Sequence, residues 1–209
     1  MSSAPKHTNV LPELTLDSLL NLLLKQSLMT QEQARQARQQ ESTVRAELLR
    51  NKGSGRDARR ASRHTVGATE VLTHFEFRTP DGRPLDEDLI MSTLAKPLGL
   101  AFEKPDPLKL DADLITSTMQ QAYARRHSCV PLRREDGKIV IAINDPFDRR
   151  LREDLNMLTQ GQVEFVLSAR ADIQRIITEI YGFRSSVSAA AERHGTSLDL
   201  GNLEQLSRM

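Results

Sequence analysis

The chain has 209 residues, enough for one large or two small domains, with 38% hydrophobic and 27% charged residues. Aromatics make up 4% and Trp is missing, so any core must come from Leu, Ile, Val and Ala. The formal charge of +1 excludes a global bias toward nucleic acid or anionic membrane, and one Cys excludes an intramolecular disulfide, which fits a reducing compartment. The opening "MSSAPKHTNVLPEL" has no apolar stretch of the signal-peptide kind. The apolar run from Leu19 to Leu24 falls far short of the roughly 20 residues a membrane span needs. A cytoplasmic protein is expected.

Residues 1–13 are polar and read as a disordered start. A helix is predicted from about Asp17 to Gln26. Leu19, Leu20, Leu22, Leu23 and Leu24 make it apolar on most sides, so something else must cover it. Thr30 followed by Gln33 matches a capping box for a second helix to about Asn51, with a stripe of Ala34, Ala37, Val44 and Leu48. This helical hairpin carries few residues suited to sustained phosphate contact, which argues against DNA binding. The basic segment at 45–70 holds Arg45, Arg50, Lys52, Arg56, Arg59, Arg60 and Arg63 around Gly53-Ser54-Gly55. It reads as a solvated linker, or as an electrostatic contact for anionic lipid or an acidic partner. No aromatics interleave it for base stacking.

Val71–Phe77 reads as a short strand or a helix end, and Thr79-Pro80-Asp81-Gly82 as a turn. Asp86–Leu94 is predicted as a helix stopped by Pro97 and Gly99, and Leu100–Leu108 as an extended boundary link. Beyond it, Asp111–Arg126 reads as one helix. Cys129–Leu132 and Ile139–Ile143 read as a hairpin around Asp136-Gly137, which Asp145-Pro146 ends. A helix from Asp148 carries Leu151, Leu155 and Leu158, with Gly161 at its C-cap. Val163–Leu167 alternates as a strand. Ser168 is placed to cap a last helix striped by Ile173, Ile176, Ile177 and Ile180. The expected fold class is therefore α+β: a helical N-terminal subdomain over 14–104, then a small α-β-β-α-β-α sandwich with a three-stranded sheet over 105–183. Residues 184–209 read as a tail or linker.

Chemistry is thin along this chain. The cluster "NKGSGRDARR" lacks the spacing and the Lys-Ser/Thr of a phosphate loop. His7, His64, His74, His127 and His194 include no pair at helical spacing, so a local His metal site has no support. His127 and Cys129 share one face of an extended segment without standing as base and nucleophile, and Cys129 reads as a buried thiol. Asp145 and Asp148 fit helix-start roles better than a metal or acid–base pair. No catalytic residue, metal ligand or cofactor is expected.

From Cys129 to Gly182 the sequence resembles the N-terminal domain of type II secretion and type IV pilus assembly ATPases. The elements that carry the resemblance are Ala124-Arg125, Val130-Pro131-Leu132, Gly137, Ile141-Ala142-Ile143-Asn144-Asp145-Pro146, Leu151 with Leu155, and Ile173, Ile177 and Tyr181. Leu22–Glu41 and Leu94–Phe102 are similar to that domain's helical first half. The resemblance spans about 20–182.

The resemblance implies a non-catalytic docking and regulatory domain, coupling a hexameric motor to its inner-membrane platform. Its implied partner is the cytoplasmic domain of the membrane-anchored L component, or the pilus equivalent. The expected location is then cytoplasmic, peripheral to the bacterial inner membrane, with membrane contact only indirect and hexamers only with a motor domain. Leu19, Leu20, Leu22, Leu23 and Leu24 are the expected partner-binding residues. No Walker motif is seen, so no ATP turnover is expected, and 184–209 would lead toward a motor. Some relatives bind cyclic di-GMP through a pattern opening Arg-Leu-Gly, with a later Gly and a closing Gln. Here those positions read Ser18-Leu19-Leu20, Ser27 and Glu41, and a second copy over 74–97 reads His74, Glu76, Arg83 and Pro97. A cyclic di-GMP-responsive sensor is the alternative reading.

Overall fold

The protein was analysed as a computed structural model that describes residues 14–53 and 66–195, with side chains described except at 52, 53 and 184–195. The expected disordered start at 1–13, the arginines at 56, 59, 60 and 63, and the tail beyond 195 lie outside the described residues.

The first half is helical. Helix α1 (Leu16–Lys25) opens on a capping box between Thr15 and Ser18. It ends at Ser27, which takes a left-handed φ of 55°. The box predicted for α2 (Gln31–Gly53) is formed. Gln33 N donates to Thr30 Oγ1 at 3.2 Å, and Thr30 N donates to Gln33 Oε1 at 2.8 Å. Val71–Phe77 resolves into a short helix α3 (Ala68–Thr73) and a turn. Helix α4 (Glu87–Leu98) runs four residues past Leu94. Pro97 lies in its last turn, and Gly99 closes it at φ 65°.

The second half is built on a sheet, and here two expectations need correction. The sheet has four strands, not three, in the order β1-β4-β3-β2. The added strand β1 (Ala101–Phe102) comes from the boundary link and pairs parallel with β4 (Val163–Leu167). The helix expected over Asp111–Arg126 is two helices, α5 (Ala112–Thr118) and α6 (Gln121–His127). They are separated where Met119 turns extended at φ −147°, ψ 156°. Strands β2 (Cys129–Glu135) and β3 (Lys138–Ile143) pair antiparallel through the two-residue turn Asp136-Gly137, each strand reaching closer to the turn than the apolar runs alone mark. Asp136 and Gly137 both have positive φ there, 48° and 77°, as a twist-matched hairpin turn requires. Helix α7 (Arg149–Leu158) crosses from β3 to its parallel neighbour β4, and α8 (Arg170–Gly195) follows.

Two apolar clusters form. Leu19, Leu20, Leu23, Val71, Leu72 and Ile90 centre the helical one. Ile141, Ile143, Leu151, Leu155, Ile173 and Ile177 centre the other, between the sheet and its helices. Helix α4 belongs to both: Ile90 enters the first, while Met91 and Leu94 enter the second. Leu158, expected on the buried stripe of α7, is 52% exposed at the last residue of that helix, while Leu151 and Leu155 before it are buried.

Candidate functional site

The leucines expected to meet a partner are mostly used inside the chain. Leu19, Leu20 and Leu23 are fully buried in the helical core. Leu24 is half-buried against that same core, and Leu22 is half-buried against the sheet-side core. The outward face of α1 is clamped to α2. Arg38 Nε donates to Asp17 Oδ1 at 2.7 Å, and its terminal nitrogen donates to Asn21 Oδ1 at 3.3 Å. At roughly 1.5–3 kcal/mol per fully buried Leu side chain, these residues are a main support of the helical half.

The positions set against the dinucleotide-binding pattern are likewise engaged. The Ser18 hydroxyl completes the α1 capping box. Ser27 keeps the left-handed backbone that a Gly would favour, now with a side chain. Glu41 accepts from Arg45 at 2.7 Å.

The Asp145-Pro146 corner is structural. Asp145 Oδ1 accepts from Phe147 N at 2.9 Å, and Asp148 Oδ1 accepts from Leu151 N at 2.9 Å, capping α7. Burial raises the Asp145 carboxyl above its ordinary range, and the amide N–H of Phe147 pulls it partly back. Cys129 is buried, and desolvation pushes its thiol up to about 12. The His127 ring stacks on Tyr123 at 4.5 Å, and burial, then the Arg126 charge, lower its pKa. A thiol held neutral beside a histidine held neutral is not an activated nucleophile–base pair. Among the described residues, no group of three His, Cys, Asp or Glu side chains is placed to hold a metal ion.

A polar cluster that the sequence pattern did not reveal joins the two halves. It lies where the carboxyl ends of β1, β3 and β4 meet the first turns of α4 and α8. Glu87 Oε1 accepts from Arg170 N at 2.8 Å and from Asn144 Nδ2 at 3.2 Å, and Glu87 Oε2 accepts from Ala171 N at 3.2 Å. The Asn144 amide also donates to Ser168 O at 3.3 Å, joining the ends of β3 and β4. Ser168, expected to cap α8, sends its hydroxyl to Glu103 O at 2.7 Å instead. The carboxylate that serves the first N–H groups of α8 thus comes from α4. The Arg170 guanidinium turns to Glu70 on α3, and both side chains are largely buried. Desolvation raises the Glu87 carboxyl above its ordinary 4.5, against the pull of its three donors. The only local signal was an acidic residue in a first helical turn, which ordinarily faces water.

Comparison with known proteins places the second half of the chain. Residues 98–187 match the model of the MshEN domain. No curated protein matches the chain. Among solved structures, one of MshE with cdg aligns at 19% identity and a TM-score of 0.49, covering 78% of this chain and 98% of that one. The N-terminal domain of XpsE aligns at 14% identity and a TM-score of 0.43, covering 78% and 94%. A second crystal form of it aligns at 15% and 0.36, covering 85% and 97%. The resemblance read over about 20–182 is thus matched by the family model from 98 onward, while Leu22–Glu41 lies upstream of the matched span.

Proposed function

We propose that this chain is a non-catalytic docking and regulatory module of a type II secretion or type IV pilus assembly ATPase, a reading supported by the match of residues 98–187 to the MshEN domain, of a kind found in the N-terminal domains of such ATPases. It joins the motor to its inner-membrane platform by binding the cytoplasmic domain of the L component or its pilus counterpart. The family match is the observation that carries this reading. The chain's polar groups support it, because their hydrogen bonds serve caps and joints. Among the described residues no helix is long and apolar enough to cross a membrane, which fits attachment through a partner.

The helical half docks as a folded unit. Leu19, Leu20 and Leu23 support it from within, so the contact falls on its outer surface, where Leu22 and Leu24 retain some exposure. Co-purification of the full chain with the L-component cytoplasmic domain tests this. A stable complex is expected, and its absence with a folded chain would overturn the reading. Calorimetry with cyclic di-GMP separates the module from a ligand sensor: no heat and no thermal shift are expected.

A further inference from the structure

We propose that Glu87 and Arg170 form a latch that fixes the helical half of the chain against the start of α8, with α4 as the axle between them. Each half buries its own apolar cluster, and among the described residues α4 is the element that sends fully buried side chains into both. An element shared in this way can stay packed while the bodies on either side shift about it. What fixes α8 to the helical half beside that axle is polar. Glu87, at the start of α4 itself, accepts from the first two N–H groups of α8, and Arg170 at that helix start reaches across to Glu70 on α3.

Such a contact behaves differently from a core. Two N–H groups at a helix start and one carboxylate satisfy each other almost completely, so loss of the carboxylate leaves the helix end unserved. The Glu70 and Arg170 side chains are only 17% and 21% exposed, so breaking either partner leaves a charge poorly solvated. Breaking either contact is therefore costly, and the latch requires that the two contacts form and break together. It is also reachable from solvent. An open groove of about 530 Å³ counts Glu87 among its lining residues, with Thr73, Glu76, Arg78 and Asp86. The latch ties the placement of α3 and α4 to the first turn of α8.

The inference rests on the chain's own joint and stands whether or not a platform partner binds. Residue-resolved hydrogen exchange on the full chain tests it, comparing the native protein with Glu87→Ala and the milder Glu87→Gln. The latch predicts that the amides of Arg170 and Ala171 exchange about tenfold faster or more in Glu87→Ala, and less so in Glu87→Gln. The amides of Ile141 and Ile143 in the sheet and of Leu20 and Leu23 in α1 keep their protection. Two results would overturn it. Unchanged exchange at Arg170 and Ala171 would mean that the carboxylate holds nothing. Loss of protection at Ile141 and Leu20 in both variants would mean that the joint is part of one cooperative core.

Discussion

Arg170 donates its backbone N–H to Glu87 at 2.8 Å across 83 residues of sequence, and this bond sets the start of the last helix. Burial keeps the Glu87 carboxyl above 4.5, and the neighbouring charge of Glu70 adds to that rise, while Arg170, Ala171 and Asn144 oppose it by donating hydrogen bonds. An acid that holds its proton more tightly when folded favours the fold below its unfolded pKa. That contribution is lost as the pH rises through the folded value. The stability difference between the native chain and Glu87→Gln should therefore fall as the pH rises above 4.5 in urea titrations. A difference that grows with pH would contradict the account.

His127 gives the opposite slope. Burial lowers its pKa below 6.5, so the folded chain disfavours the charged ring. Its contribution is present above pH 6.5 and is lost as the pH falls through the lowered folded value. Replacing it with Gln should flatten the part of the acid destabilisation that begins below pH 6.5, read from melting temperatures across that range.

Leu20 and Leu23 are core residues of the helical half. Truncating either to Ala should cost about 2–5 kcal/mol, the range for buried leucines, and lower the melting temperature. Placing Asp at either position should unfold the helical half, since the carboxylate has no donor there. Circular dichroism would report it as lost helix. Native stability in Leu23→Asp would show that α1 is not buried as described.

Much of the second half was legible because its residues speak locally. Asp136-Gly137 sits between β-branched runs, Leu151 and Leu155 recur at helical spacing, and Ile173, Ile176 and Ile177 mark one face. Each of these features is buried or turned as its pattern required. The misses share a cause. Strand β1 is two residues long and carries no period, so only pairing with Val166 and Leu167 reveals it. The break at Met119 falls between two segments whose apolar spacing reads through it. The leucines of α1 looked available because their covering residues, Val71, Leu72 and Ile90, arrive from far along the chain. Glu87 was invisible for the same reason, its partners being 57 to 84 residues away.

Ser27 closes α1 at φ 55°, a conformation that costs a side-chain-bearing residue about 1–2 kcal/mol relative to Gly. Ser27→Gly should raise the melting temperature by about 2–4 °C, the shift expected of roughly 1 kcal/mol in a domain of this size. A lower melting temperature would mean that the Ser27 side chain makes a compensating contact.

The central claim is that this chain docks a secretion or pilus motor to its platform, and a binding titration tests it most directly. The full chain, confirmed as folded by its melting curve, is titrated with the cytoplasmic domain of the L component or its pilus counterpart. A saturable complex of fixed stoichiometry is predicted, its strength unaltered by cyclic di-GMP. Absence of saturable binding to either candidate by the folded chain would contradict it.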